Sequence, residues 1–116
     1  VEMAVIHRCF ETAANSDDAV PVVNVVESLR KVDNDESKAV SRENYRIVQT
    51  PQVFSYRQIS NAYQQPYRHE FTDDATVVEG MRVKINLVEG NRENIKITTP
   101  GDLVLAHALL NVVDKK

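Results

Sequence analysis

Apolar residues recur at helical spacing at the start of the chain. The pattern predicts an amphipathic helix that ends near Ala14 and buries Met3, Ile6, Phe10 and Ala13. The polar run at 15–18 predicts a turn, and residues 19–23 are then apolar and largely β-branched without alternation. Such a run is typical of a short strand buried on both faces of a parallel sheet, so the pattern favours an α/β fold.

Shorter patterns predict the elements in the middle of the chain. Residues 45–48 are strand-like, and Ser55 with Gln58 predicts the capping box at the start of a helix. Thr72 is the predicted N-cap of a short helix. Alternation of apolar and polar residues over 83–87 predicts a half-buried strand.

The last helix has the clearest start. Thr99 and Asp102 form a Thr-x-x-Asp box, and Pro100 suits the first helical position. We expect the helix to bury a stripe made of Leu103, Ala106, Leu110 and Val113.

Residues 25–42 are polar around 33–37 and strand-like on either side, which predicts a long hairpin. We call the region at about 25–44 the hairpin arm. A two-stranded hairpin alone is marginal in water, so we expect the arm to brace against another surface, such as a second copy of the chain. A solvated loop is the alternative that composition alone favours.

Length and composition narrow the class of protein. The 116 residues and the hydrophobic share of 42% suit one domain with an ordinary core. A net charge of −3 offers no basic field for nucleic acid or an anionic membrane. No apolar run approaches the roughly 20 residues of a membrane span, and no secretion signal is recognisable, so we expect a cytoplasmic protein. The start at Val1 without a methionine suggests a piece of a longer protein.

Standard catalytic motifs do not occur in the sequence. With three glycines the chain has no glycine-rich phosphate loop, and its single cysteine, Cys9, excludes an internal disulfide and is expected in or beside the core. His7, His69 and His107 are isolated, so neither a metal site nor a catalytic triad is predicted.

Two charged segments remain as candidates for chemistry. Adjacent helical residues point about 100° apart, so Asp73 and Asp74 suit helix capping better than joint binding of a metal ion. Arg92 and Lys96 lie next to a predicted strand end and the cap of the last helix, where they could meet a phosphate. A solvated turn is the alternative.

Several motifs occur together in a fixed order along the chain. They are Val26-Glu27-Ser28-Leu29-Arg30, Arg42, Gln49-Thr50-Pro51-Gln52, Thr72-Asp73-Asp74-Ala75, and Glu89-Gly90-Asn91-Arg92-Glu93-Asn94-Ile95-Lys96-Ile97-Thr98. In this order they resemble the motifs of the 2-C-methyl-D-erythritol 4-phosphate cytidylyltransferases, specifically of their carboxy-terminal half. The resemblance covers essentially all of 1–116, and ribitol-5-phosphate cytidylyltransferases share much of it.

The resemblance implies both a fold and a reaction. The fold is a mixed, mostly parallel α/β sheet with helices on both faces, of the nucleotide-diphospho-sugar transferase type, truncated at its amino terminus and with the hairpin arm projecting. The reaction joins CTP and 2-C-methyl-D-erythritol 4-phosphate to give 4-diphosphocytidyl-2-C-methyl-D-erythritol and pyrophosphate, in non-mevalonate isoprenoid biosynthesis. A ribitol-5-phosphate enzyme and a non-catalytic dimerisation module are the alternatives.

The resemblance also implies roles for five residues. Arg42 and Lys96 would be the catalytic cations that hold the substrate phosphate, helped by the hydroxyls of Ser28, Thr50 and Thr72. Ser28 stands where the family usually has threonine, so the hydroxyl is kept. In the family the hairpin arm reaches over the neighbouring subunit, so a homodimer is expected in which Ser28 and Arg42 serve the partner's site.

Two family motifs are missing from the sequence. The glycine-rich CTP loop and the His-Asp-x-x-Arg-Pro motif, whose aspartate helps bind Mg²⁺ or another divalent cation, do not occur. We therefore expect the cation only in the full-length enzyme, and we expect this chain alone to be inactive.

Overall fold

A computed structural model describes residues 1–113, with individual side chains described as far as Asn111. Its helices and strands form a mixed α/β arrangement, as the sequence predicts. The elements are α1 Met3–Ser16, β1 Asp18–Asn24, β2 Leu29–Asp33, β3 Glu36–Val40, a 3-10 turn Arg42–Asn44, β4 Arg46–Val48, β5 Val53–Phe54, α2 Tyr56–Ala62, α3 Asp74–Glu79, β6 Leu87–Glu89 and α4 Pro100–Val113.

The main sheet is built around β1. Val22 pairs with Val48 of antiparallel β4 and with Glu89 of parallel β6, so these strands flank β1 on opposite edges. β5 pairs antiparallel through Ala19 and Val53. The expectation of a mostly parallel sheet is therefore wrong for the described strands. The apolar run of β1 reflects burial on both faces, which says nothing about the direction of its neighbours.

Small side chains build the core on either side of β1. Ala19 packs with Val5, Cys9 and Ala13 of α1. Val20 and Val22 belong to a second cluster, which they share with Ala75 of α3. The expected burial of Cys9 is confirmed, and this burial raises the pKa of its thiol.

The buried face of α1 includes Ala13 of the predicted stripe but otherwise differs from it. Met3 and Phe10 are 66% and 60% exposed, whereas Val5 and Cys9 are fully buried. Both stripes have helical spacing, so periodicity alone cannot choose between them. The smaller side chains lie inward, where they allow the helix to approach β1 closely.

Asp18 is the buried charged residue among those that the structure describes, and 1% of its surface is exposed. Its Oδ1 accepts hydrogen bonds from the backbone and side chain of Asn86, at 2.7 and 2.8 Å, and its Oδ2 accepts one from Gln58 Nε2 at 3.0 Å. The predicted capping box at Ser55 is therefore only half formed. Ser55 Oγ accepts from Gln58 N as predicted, but the Gln58 side chain donates to Asp18 and not back to the backbone N–H of Ser55. Residues 83–86 are not in a strand, since the paired segment is confined to β6.

The two later helices differ in how well their ends match prediction. Asp73, not Thr72, is the N-cap of α3, and it forms a capping box with Thr76. The α4 box is confirmed: Asp102 N donates to Thr99 Oγ1 at 3.3 Å, and Asp102 Oδ2 accepts from Thr99 N at 2.9 Å. Hydrogen bonds from the backbone N–H groups of Thr99 and Thr98 lower the pKa of Asp102.

The predicted buried stripe of α4 is wrong. Leu103 and Leu110 are 60% and 59% exposed, and Ala106 is half-buried. The side chain of Val113 lies outside the described part. α4 therefore presents apolar side chains that no described element covers.

Residues 29–40 form a hairpin, in which β2 and β3 pair antiparallel with Leu29 opposite Val40. Its side chains are exposed apart from these two, which are half-buried. That the hairpin serves as an arm stays a prediction. Within residues 1–113, no helix has the length and apolar character needed to cross a bilayer.

We predict that Asp18→Ala in the full-length protein lowers the free energy of unfolding by about 3 kcal/mol or more, because buried donors of Gln58 and Asn86 lose their acceptor. Denaturant titration measures the change. Asp35→Ala in the exposed hairpin turn is the matched control and should cost less than about 0.5 kcal/mol. Equal costs for the two variants would contradict the role given to Asp18.

Candidate functional site

An open cleft of about 560 Å³ lies between β4 and the segment that follows β6. It brings the Gln-Thr-Pro-Gln motif at 49–52 together with residues 92–96, which are more than 40 positions later in the chain. Its apolar wall and its polar groups are contributed by Val23, Ile47, Val48, Gln49, Thr50, Gln52, Asp73, Arg92, Asn94, Ile95 and Lys96.

The side chain of Gln49 fixes the loop on the far side of the cleft. Its Nε2 donates to the carbonyls of Asn91 and Asn94, at 2.8 and 3.2 Å, and its Oε1 accepts from Asn91 N at 3.3 Å. The backbone N–H of Gln49 donates to Pro21 O of β1 at 2.8 Å. One carboxamide thus attaches the 91–94 loop to the end of β4.

Thr50 is held to the same loop through its backbone. Asn94 Nδ2 donates to Thr50 O at 2.6 Å. The Thr50 hydroxyl itself has no hydrogen bond to the residues whose side chains are described. Lys96 is exposed, and its ammonium group has no ion-pair or hydrogen-bond partner among the residues whose side chains are described, 1–111. A hydroxyl and an ammonium are therefore both available in the cleft.

The charged groups of the cleft favour an anion. Arg92 and Lys96 are basic, whereas Asp73 is the one carboxylate among the lining residues. Both oxygens of Asp73 already accept hydrogen bonds, from Thr76 N at 2.9 Å and from Gln52 Nε2 at 3.1 Å. Arg92 donates to Asn24 O at 2.6 Å, which orients its guanidinium beside β1.

The structure brings two of the five predicted site residues, Thr50 and Lys96, into this cleft. Thr72 lies outside it and lines a neighbouring cavity of about 360 Å³, although the adjacent Asp73 lines both. Arg42 donates to Val26 O at 3.0 Å near the base of the hairpin. Ser28 is exposed just before β2.

Sequence reasoning missed the amide side chains that shape the cleft, Gln49, Gln52 and Asn94. All three lie inside motifs used for the resemblance, yet no charge or hydrophobic period distinguishes them. The available clue was position. Gln49 directly follows β4, Gln52 directly precedes β5, and Asn94 lies in the loop after β6. Beyond strand ends, backbone groups lose their sheet partners and side-chain amides can replace them. Within the described residues, no group of three or more His, Cys, Asp or Glu side chains is placed to hold a metal ion.

Comparison with known proteins gives consistent similarities. Residues 1–112 match the family model described as 2-C-methyl-D-erythritol 4-phosphate cytidylyltransferase. Proteins of that name from Bacteroides thetaiotaomicron and Porphyromonas gingivalis are 53% and 43% identical over 110 and 111 residues. The crystal structure of the protein of that name from Thermus thermophilus superposes with a TM-score of 0.80 at 35% identity, covering 96% of this chain and 56% of that one.

The matches cover a larger share of this chain than of its relatives. They cover 95% of this chain but 50% of each of the two relatives, so the chain spans about half the length of the curated relatives it matches.

We predict that Gly90→Ala destabilises the full-length protein by about 1–3 kcal/mol, because the new Cβ would clash with Gln49 Oε1 and lie 3.2 Å from Val22 O. In a Gln49→Ala background the same change should cost much less, since the main obstacle is gone. Unfolding free energies of the four proteins measure this coupling.

The matched control is Gly101→Ala, whose Cβ meets nothing closer than Thr99 Oγ1 at 3.8 Å. It should not destabilise the protein. Equal costs of Gly90→Ala in both backgrounds would contradict the contact between Gly90 and the Gln49 carboxamide.

Proposed function

Because this chain belongs to the 2-C-methyl-D-erythritol 4-phosphate cytidylyltransferase family, we propose that the full-length protein transfers a cytidylyl group from CTP to 2-C-methyl-D-erythritol 4-phosphate. A phosphate oxygen of the sugar-alcohol substrate forms a bond to the α-phosphorus of CTP. The bond from that phosphorus to the bridging oxygen breaks, and pyrophosphate leaves. The product is 4-diphosphocytidyl-2-C-methyl-D-erythritol.

We further propose that this chain supplies the part of the site that holds the substrate phosphate. The main support is the pairing of Thr50 and Lys96 in one cleft, with a free hydroxyl and a free ammonium beside Arg92. Ammonium and hydroxyl groups are suitable phosphate donors. Nucleotidyl transfer depends mainly on positioning and charge stabilisation, and these groups can provide both.

Arg42 and Ser28 are proposed to act on the site of a second subunit in a homodimer. Both lie at the base of the exposed hairpin, and neither lines the cleft that contains Lys96. An exposed two-stranded hairpin with few apolar contacts gains stability from a surface to lie on. These two observations support a hairpin arm that reaches a partner, with Thr50, Thr72 and Lys96 serving their own subunit.

The proposed place of this chain is the carboxy-terminal half of the domain, with the CTP loop in the other half. Support comes from the relatives' double length and from the exposed apolar side chains Leu103, Val104, Leu105 and Leu110 of α4, which the other half could cover. Packing of α1 and α3 against different residues of β1 supports the proposal of helices on both faces of the completed sheet.

A divalent cation such as Mg²⁺ is proposed for the full-length enzyme only. It would supply charge neutralisation on the phosphates when bound. Its protein ligands are proposed to lie in the other half, and the described residues offer no group of three or more His, Cys, Asp or Glu side chains. A cytoplasmic location also stays a prediction.

We predict that Lys96→Ala in the full-length enzyme raises KM for methylerythritol phosphate and lowers kcat/KM roughly 10- to 100-fold, as expected for the loss of a charged hydrogen bond. Steady-state pyrophosphate release measures both. Lys84→Ala removes the same charge from an exposed lysine outside the cleft and is the matched control, expected to leave both parameters unchanged.

Unchanged KM and kcat/KM in Lys96→Ala would exclude the phosphate role and favour the non-catalytic dimerisation module. Running the parent enzyme with ribitol 5-phosphate in parallel tests the other alternative. We expect methylerythritol phosphate to have the higher kcat/KM, and a preference for ribitol 5-phosphate would reassign the substrate.

The chain of residues 1–116 alone is predicted to release no pyrophosphate from CTP and methylerythritol phosphate, because the proposed CTP site lies in the other half. The same assay applied to the purified chain tests this. Substrate-dependent turnover by the chain alone would contradict the division of the site.

A further inference from the structure

Gln52 connects two segments that the chain separates by about 20 residues. It is half-buried and follows Thr50 in the loop that lines the cleft. Its Nε2 donates to Asp73 Oδ2 at 3.1 Å, and its Oε1 accepts from Ala75 N at 3.2 Å. These are the hydrogen bonds that join residues 49–52 to residues 72–76 in the described part of the chain.

The orientation of the Gln52 carboxamide is fixed by its two partners. The Asp73 carboxylate can only accept, and the Ala75 N–H can only donate, so a flipped amide would face both partners with the wrong group. Asp73 is itself fixed, because its Oδ1 accepts from Thr76 N at 2.9 Å as the cap of α3.

Thr72 is part of the same hydrogen-bonded unit. Its backbone N–H donates to Thr76 Oγ1 at 3.0 Å. The Thr76 hydroxyl also accepts a hydrogen bond from Asp73 N and donates one to Asp73 O. The turn at 72–76 is therefore internally rigid, and Gln52 attaches it to the loop that carries Thr50.

We propose that Gln52 is a positioning residue that holds the turn carrying Thr72 beside the cleft that contains Thr50. Although Thr72 lines the neighbouring cavity, Asp73 lines both, and the fixed turn allows the Thr50 and Thr72 hydroxyls to meet one substrate phosphate. The inference rests on the proposed function, because it concerns the same phosphate. Gln52 acts through the Asp73 cap and does not need to touch the substrate.

An exchange of polarity between the two side chains isolates this role. Gln52→Glu places two carboxylates face to face, and Asp73→Asn places two amide donors face to face, so each single change breaks the contact. In the double variant Gln52→Glu/Asp73→Asn, the new amide donates to the new carboxylate. The amide oxygen introduced at position 73 can still cap α3, and the carboxylate introduced at position 52 can still accept from Ala75 N. The net charge of the protein is unchanged.

The test is the steady-state kinetics of the full-length enzyme with these three variants. We expect each single variant to raise KM for methylerythritol phosphate roughly tenfold with KM for CTP nearly unchanged, and the double variant to return within about threefold of the parent. Gln65→Glu is the matched control. It removes an amide that donates to Val77 O of α3 at 2.8 Å but lies outside the cleft, so it should lower the melting temperature without raising KM.

The inference is overturned if the single variants leave KM for methylerythritol phosphate unchanged, if the double variant is no better than the singles, or if Gln65→Glu raises KM as much as Gln52→Glu. Lys96→Ala is measured alongside. If Lys96→Ala raises KM and the exchange series fails, the positioning role alone is wrong. If Lys96→Ala has no effect, the phosphate site is wrong and the positioning role is rejected with it.

Discussion

The cleft depends on side-chain amides, that of Gln49 above all and that of Asn94 beside it, because the two segments that form it have no sheet pairing with each other. β4 ends at Val48 and β6 ends at Glu89, and the chain then leaves the sheet on both sides. Backbone groups beyond a strand end need other partners if they are shielded from water. The Gln49 side chain donates to two carbonyls of the 91–94 loop and accepts a hydrogen bond from the backbone N–H of Asn91. These bonds fix the position of the loop that leads to Lys96.

The same physical solution recurs at two other strand ends. Asp18, at the start of β1, satisfies three donors from α2 and residue 86. Gln52, just before β5, connects to the cap of α3. Each such bond contributes on the order of 1 kcal/mol net, but leaving a buried partner unsatisfied costs more. The apolar core is made of small side chains, so these polar contacts set the relative positions of the elements around the cleft.

Local sequence determined the elements better than it determined their faces. β1, the Ser55 cap and the α4 box depend on near neighbours in sequence, and the structure confirms them. The buried stripe predicted for α4 was wrong, and of the stripe predicted for α1 only Ala13 is buried, because periodicity gives a spacing but not the surface that the helix meets. For α4 the proposed covering surface belongs to the other half of the domain, so its leucines are exposed here.

The sequence identified the residues proposed to bind the phosphate, but it did not identify the side-chain amides that hold the cleft together. The resemblance identified Thr50 and Lys96, which share the cleft. The predicted N-cap of α3 was Thr72, but the structure has the next residue, Asp73, in that role. Gln49, Gln52 and Asn94 could not be assigned, since their partners are backbone atoms brought close only by the fold. Arg42 donates to Val26 O in this chain, and the phosphate proposed for it belongs to a second subunit.

The central claim is that this cleft holds the substrate phosphate, and the most direct test is a crystal structure of the full-length protein with 2-C-methyl-D-erythritol 4-phosphate bound. The account predicts the phosphate within hydrogen-bond distance of Lys96 Nζ and the Thr50 hydroxyl of one subunit, with Arg42 of the hairpin arm reaching it from the other. A phosphate bound elsewhere, with Lys96 facing solvent, would contradict the account.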